Sequence, residues 1–234
     1  MKILIFSDVH GNKYALEALK NTKDYKTADK KIFLGDSVSF CAYPNECIKI
    51  LKDSNIEVLM GNHDVYCAFG IPKTELGKFN EGFLKHLDYI RNKVSEENKN
   101  YLKNLDYTIK FELSEKKFYF SHYLWKNKET VFANPDGKSK STILTANLFE
   151  SVDADYIFYG HNHTPSIVKK DKKTFICIGS LGVRSPGNYV ILDIDNERIK
   201  FEHKKLEYDS KKLINEMLIM NYPGVNQIIN FFNE

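Results

Sequence analysis

Short apolar runs alternate with amphipathic stretches through the first half of the chain. Lys2 to Phe6 has the continuous apolar character of a buried strand, and Asn12 to Lys20 reads as a helix with Tyr14, Leu16 and Leu19 available for packing. A second strand is expected at Lys31 to Leu34, then a helix opening near Pro44, where proline suits a first helical turn. Glu57 to Met60 is a third strand candidate, followed by helical stretches at about Thr74 to Asn92 and Ser95 to Asn104. This alternation predicts an α/β fold with a largely parallel sheet at its start.

The second half is richer in strands. Tyr107 to Leu113 and Lys117 to Ser121 pattern as a hairpin across Ser114-Glu115. A loop at Asn134-Pro135-Asp136-Gly137 leads to a helix near Thr142 to Glu150. Strands are expected at Tyr156 to Tyr159, Ser166 to Lys169, Thr174 to Ile178, Asn188 to Asp193 and Arg198 to Leu206. The tail from Ser210 to Asn233 reads as helical, broken at Pro223-Gly224, with packing on the domain as its default role.

Composition narrows the class. A chain of 234 residues without a visible linker suits one large domain with a substantial core, here spanning 1–234 with a helical tail from about 208. Hydrophobic residues at 42% and charged residues at 28% argue against disorder. A net charge of +3 beside 34 basic and 31 acidic residues gives no clear nucleic-acid footprint. Only four apolar residues separate Lys2 from Ser7, too few for a signal peptide, and no apolar run approaches the roughly 18 residues of a membrane span. The four cysteines (Cys41, Cys47, Cys67, Cys177) form no CxxC pair, so reduced thiols in a cytoplasm are expected.

The candidate chemistry gathers where strands are expected to end. Asp8-Val9-His10, Asp36, Asn62-His63-Asp64, His122 and His161-Asn162-His163 each follow an apolar run. Side chains at i and i+2 of an extended segment point the same way, so Asp8 with His10, and His161 with His163, are expected to converge. Gly11, Gly35, Gly61 and Gly160 flank them and permit sharp turns or close backbone approach. In open α/β sheets, sites form at the carboxyl ends of strands. Five of the seven histidines belong to these motifs, whereas His86 and His203 read as surface or helix-face residues. Each motif alone is weak, but together they point to a metal site.

Mixed carboxylate, imidazole and amide donors suit Mn²⁺ first, with Fe, Zn²⁺ or Ni²⁺ as alternatives. Seven ligands are too many for one such ion but suit two ions about 3.5–4 Å apart with a bridging carboxylate. Such a centre attracts phosphate and makes hydroxide available near neutral pH.

In order, Asp8-Val9-His10, Gly35-Asp36, Gly61-Asn62-His63-Asp64, His122 and Gly160-His161-Asn162-His163 resemble the motifs of the calcineurin-like metallophosphoesterase superfamily. Gly35 to Cys47, with Pro44-Asn45-Glu46, and Gly179-Ser180-Leu181-Gly182 further resemble a small prokaryotic phosphodiesterase-like branch. The resemblance implies a four-layer αββα sandwich of two mixed sheets flanked by helices. It also implies that Asp8, His10, Asp36 and His163 hold one ion. Asp36, Asn62, His122 and His161 would hold the other, with Asp36 bridging. Asn62 and His63 would contact the substrate, and His63 would stabilise the scissile phosphate or protonate the leaving oxygen. The implied activity is hydrolysis of a phosphodiester or a nucleotide-derived phosphate ester, a small substrate, by metal-activated hydroxide. A phosphomonoesterase or dinucleoside polyphosphate hydrolase is the alternative. A non-catalytic scaffold is a third reading, disfavoured because His63 and every ligand position are present.

Departures from the superfamily bear on specificity. Protein phosphatases carry Asp and Arg three and four residues beyond the Gly-Asp aspartate, where Ser39 and Phe40 stand here. Arg184, just after the Gly-Ser-x-Gly loop, is an alternative phosphate contact or a surface arginine. Asp64 is a candidate to orient His63, and Tyr123, in place of a usual glycine, a candidate to narrow the cleft. Cys41 reads as a small apolar filler.

Overall fold

The computed structural model describes residues 1–73, 75–125, 147–195 and 198–233. Two mixed five-stranded sheets face one another and are flanked by helices. The first contains β1 (Lys2–Phe6), β2 (Lys30–Phe33), β3 (Glu57–Val58), β9 (Gly187–Asp195) and β10 (Arg198–Leu206), ordered β10-β9-β1-β2-β3. The second contains β4 (Thr108–Leu113), β5 (Lys116–Ser121), β6 (Tyr156–Tyr159), β7 (Ser166–Lys170) and β8 (Lys173–Cys177), ordered β4-β5-β6-β8-β7.

Period-two alternation decides which residues face which layer. Ile3 and Ile5 of β1 and Ile32 of β2 meet Phe118 and Phe120 of β5, Phe158 of β6 and Ile176 of β8 between the sheets. The intervening Leu4, Phe6 and Phe33 turn outward to Ala15, Leu16 and Leu19 of α1 (Lys13–Asn21) and to Cys47 and Leu51 of α3 (Pro44–Lys52). Tyr119, Ile157 and Phe175 on the far side of the second sheet pack on Phe149. The loop expected at Asn134–Gly137 and most of the helix expected at Thr142–Glu150 lie outside the described residues.

Parallel pairing positions the site. β1, β2 and β3 run parallel, with Ile5 opposite Ile32 and Phe33 opposite Val58. β5, β6 and β8 also run parallel, with Phe120 opposite Phe158. The carboxyl ends of both parallel sets therefore deliver Asp8, Asp36, Asn62, His122 and His161 to one rim. The hairpin turn at Ser114-Glu115 has φ of 52° and 56°, as a two-residue turn with the strands' own twist requires.

Several elements differ from expectation. The third strand keeps only Glu57 and Val58, because Leu59 pairs with Asp106 and the chain then turns. The stretch from Thr74 to Asn92 is divided into a 3₁₀ turn (Leu76–Lys78) and α5 (Glu81–Lys93), which Asn80 caps by accepting the Phe83 N–H. α6 (Glu96–Lys103) follows, capped by Ser95. Two helices had no sequence signal: α2 (Lys23–Thr27) and α4 (Asn62–Phe69). Residues Asn62 through Ala68 of α4 are all buried, so the helix has no polar face to generate a 3.6-residue period. The tail forms α7 (Ser210–Ile219) and α8 (Val225–Asn233), which pack on the body through Leu213, Met217 and Ile228.

Candidate metal centre

The loop after β1 and the loop after β2 are zipped together by backbone hydrogen bonds. Asp8 N–H donates to Gly35 C=O (3.0 Å), His10 N–H to Asp36 C=O (2.9 Å) and Gly11 N–H to Ser37 C=O (2.9 Å). Asp8, His10, Asp36, His161 and His163 all have positive φ, between 50° and 68°. The extended geometry expected for Asp8-Val9-His10 and His161-Asn162-His163 is therefore absent. A left-handed residue at each of these five positions, not strand alternation, turns the side chains inward. Such conformations cost non-glycine residues of order 1–3 kcal/mol each and persist where the surroundings over-determine them.

Glycine makes the close approach of the loops feasible. A Cβ on Gly61 would overlap the Asp36 backbone nitrogen and Oδ1, and one on Gly160 would overlap Ser7 Oγ. Both positions therefore exclude any side chain.

Each buried carboxylate is held by one oxygen and presents the other. Asp8 Oδ2 accepts the His161 N–H (3.1 Å), while Oδ1 lacks a hydrogen-bond partner and lies 3.2 Å from His163 Nε2 and 3.6 Å from His10 Nε2. Asp36 Oδ1 accepts the His63 N–H (2.8 Å), and Oδ2 lies 3.2 Å from His122 Nε2 and 3.7 Å from His10 Nε2. His10 Nδ1–H donates to Val38 C=O (3.1 Å), leaving a lone pair on Nε2, which faces His163 Nε2 at 3.0 Å. Asn62 Oδ1 lies 3.0 Å from His122 Nε2 and 2.9 Å from His161 Nδ1. Two clusters result: Asp8, His10 and His163, and Asn62, His122 and His161, with Asp36 Oδ2 between them.

Separations near 3 Å between lone-pair atoms suit adjacent ligands of one ion. At metal–ligand distances of about 2.1 Å, octahedral neighbours lie about 3.0 Å apart and tetrahedral ones about 3.4 Å. The orphaned Asp8 Oδ1 and the facing imidazole nitrogens thus fit the resemblance's grouping of ligands. His63 also lies in a compact group with His10 and Asp36, so spacing alone would admit it as a ligand. Its ring stands edge-on to His10 at 5.0 Å, and its Nδ1 has no partner.

The electrostatics are those of buried carboxylates and imidazoles that shift one another. Burial alone would raise Asp8, but His122 and His163 hold it well below the usual carboxylate range. Asp36 is likewise lowered, against its burial, chiefly by His122 and His63. His122 is pushed up to about 9, because Asp36 and Asp8 outweigh its own burial. His63 is pushed down to about 3 by burial, and His161 to about 4 by burial and by His122. Asp8, His10, Asp36 and His122 are closed to solvent, whereas the His163 side chain is 24% exposed, which marks the open side.

Residues 1–197 match the calcineurin-like phosphoesterase superfamily domain. The chain belongs to that superfamily. As such it is a metal-dependent phosphoric ester hydrolase. It is 32% identical to an uncharacterized protein of Methanocaldococcus jannaschii, with 94% of this chain and 93% of that protein aligned. Its fold is similar to a metallophosphoesterase from Sphaerobacter thermophilus, with TM-score 0.74, 22% identity, and 99% and 100% of the two chains covered. It is also similar to a hypothetical protein from Pyrococcus horikoshii, with TM-score 0.77, 20% identity, and 98% and 96% covered.

Within this phosphoesterase, several residues differ from expectation. Asp64 does not orient His63. Its Oδ2 accepts the N–H groups of Asp36 (2.8 Å) and Gly61 (3.0 Å), and its Oδ1 accepts the N–H (2.9 Å) and hydroxyl (2.6 Å) of Ser37. It ties the Asp36 loop to the start of α4. Tyr123 is only 1% exposed and packs against His161 (4.4 Å), so it backs that ring and does not narrow a cleft. Cys41 is buried, and burial pushes its thiol up, as an apolar filler requires. Arg184 is half-buried on the His163 side of the rim, with Nη2 3.4 Å from Thr164 Oγ1.

Of the two outlying histidines, His86 lies on a helix as expected but on its buried face, and His203 is half-buried on β10. His203 Nε2 lies 2.7 Å from Cys177 C=O and links β10 to the end of β8. His86 is buried and accepts the Phe40 N–H (3.1 Å). Phe40 itself packs against His10 (4.6 Å) and His63 (5.1 Å). Isolated histidines on a helix and a strand carry no periodic signal for such roles.

Proposed function

We propose that this phosphoesterase holds two divalent ions and hydrolyses a phosphodiester or a nucleotide-derived phosphate ester. The observation that carries the reading is the pair of buried carboxylates, each fixed by a backbone N–H through one oxygen and turned through the other toward imidazole lone pairs. Asp8, His10 and His163 would hold one ion and Asn62, His122 and His161 the other, with the Asp36 carboxylate available to both. Mn²⁺ suits this donor set best, with no thiolate among the ligands. Bound there, divalent ions neutralise phosphate charge and supply a nucleophile at neutral pH by lowering the pKa of water.

The chain's own residues provide the rest. His63 stands beside the first cluster as a neutral ring, its backbone N–H anchored on Asp36 and its Nδ1 unpartnered. A neutral ring keeps one N–H, which would donate a hydrogen bond to the scissile phosphate or the leaving oxygen. By the resemblance, Phe40 stands in the sequence where protein phosphatases carry an arginine, and its ring lies against His10 and His63. A phosphomonoester carries that second charge near neutral pH, whereas a diester carries one and needs no bidentate clamp. The four cysteines are unbridged and buried, which supports the cytoplasmic reading, and among the described residues no helix is long and apolar enough to cross a membrane.

The test compares bis-p-nitrophenyl phosphate with p-nitrophenyl phosphate on one Mn²⁺-loaded sample at one pH. We expect the higher kcat/KM for the diester, and a shift toward the monoester in Phe40→Arg. A clear wild-type preference for the monoester would reject the diesterase reading. If Arg184→Ala then abolished that preference, Arg184 would be the clamp.

A further inference from the structure

The loop at residues 38–41 seats two groups of the metal centre. Val38 C=O accepts the His10 Nδ1–H, and the Phe40 ring lies against both His10 and His63. Its backbone is strained: Ser39 and Phe40 have φ of 87° and 49°, left-handed values that neither side chain favours. A loop of this kind keeps its shape only when other parts of the fold hold it. One holding contact comes from the body, where Cys41 N–H donates to His10 C=O (2.8 Å), and the others come from the tail and from α5. Tyr222 donates its buried hydroxyl to Cys41 C=O (2.9 Å), and Phe231 of α8 packs against Phe40 (5.2 Å). His86 of α5 accepts the Phe40 N–H through Nε2, so its other nitrogen carries the proton and donates to the Pro223 backbone. The superfamily match ends at residue 197, before any of these tail residues.

We propose that the C-terminal tail acts through this loop as a positioning device for His10 and His63, with Tyr222, Phe231 and His86 as positioning residues. The proposal rests on the reading of Asp8, His10 and His163 as ligands of one ion. The tail thereby sets the metal affinity of that cluster and the packing around His63. A second anchor of the tail provides a control. Glu216 of α7 accepts the hydroxyl of Tyr14 (2.7 Å) and that of Tyr43, neither of which belongs to residues 38–41.

The experiment measures Mn²⁺ affinity of metal-stripped protein by competition with a fluorescent chelator, together with the d–d absorption of the Co²⁺-loaded form. Wild type, Tyr222→Phe, Phe231→Leu and Tyr14→Phe are compared, each first shown to be folded by circular dichroism. Tyr222→Phe removes one buried hydrogen bond and is expected to weaken Mn²⁺ binding by about two- to tenfold, the range such a bond spans. The Co²⁺ spectrum should shift with it, and Phe231→Leu should act in the same direction. Tyr14→Phe should lower the urea midpoint while leaving affinity and spectrum unchanged. Unchanged affinity in Tyr222→Phe, or an equal loss in Tyr14→Phe, would overturn the proposal alone. Absence of any Mn²⁺ binding by wild type would overturn the metal reading and the proposal with it.

Discussion

Asp64→Ala should destabilise the metal-stripped protein by about 2–4 kcal/mol. Asp64 is fully buried, and its carboxylate receives three backbone N–H groups and one hydroxyl within 3.0 Å. Truncation orphans the N–H groups of Asp36, Ser37 and Gly61, each at a cost of about 1–3 kcal/mol if left dry. One water entering the vacated volume would recover part of that, because the site is polar enough to hold it. Relief of repulsion with Asp36, which together with burial pushes the Asp64 carboxyl up to about 6, offsets a further part. Asp64→Asn should cost less, about 1–2 kcal/mol, since its carbonyl can still accept the Asp36 and Gly61 N–H groups. The assay is urea unfolding followed by circular dichroism, on protein stripped of metal so that ion binding does not mask the difference. A loss below about 1 kcal/mol for alanine, or a larger loss for asparagine than for alanine, would refute the clamp role.

Two further outcomes follow from the site's geometry and charge. His63→Ala should retain both metal ions while kcat falls by roughly 10²–10³, as for loss of a hydrogen-bond donor to charge developing in the transition state; loss of metal with turnover per bound pair preserved would make His63 a ligand instead. Metal-stripped protein should lose stability as pH rises from 6.5 to about 9. The raised His122 contributes stability below its unfolded value that disappears as it deprotonates in the fold, up to about 3 kcal/mol. His63 and His161 are lowered, so their effect has the opposite sign and is confined below pH 6.5. Thermal melts across this range should show the decline in stripped protein only, because bound ions replace the His122 proton; a flat profile without metal would contradict it.

The rim that gathers the site was legible because every candidate residue follows an apolar run, and parallel strands end together. The bounds of β6 and β10 were equally legible, since polar residues flank each run in the sequence. What the sequence concealed is local conformation and tertiary contact. Left-handed Asp8 and His10 look like any strand extension, because φ is imposed by the zipped loops after β1 and β2. The helix at Asn62 is buried on all sides and so lacks a period. Asp64 sits beside His63 in sequence but is claimed by three backbone N–H groups from another loop and its own turn. The tail's apolar residues announced packing, yet nothing local indicated that Tyr222 and Phe231 reach the loop beside His10.

The most direct test of the central claim is a metal titration of stripped protein, with bound Mn²⁺ counted by equilibrium dialysis alongside hydrolysis of bis-p-nitrophenyl phosphate. Turnover should be absent without metal and complete at two ions per chain. At most one tightly held ion should remain in Asp36→Asn, because that carboxylate serves both clusters. Full activity of wild type in excess chelator after exhaustive dialysis, or saturation at one ion per chain with Asp36→Asn unaffected, would contradict the claim.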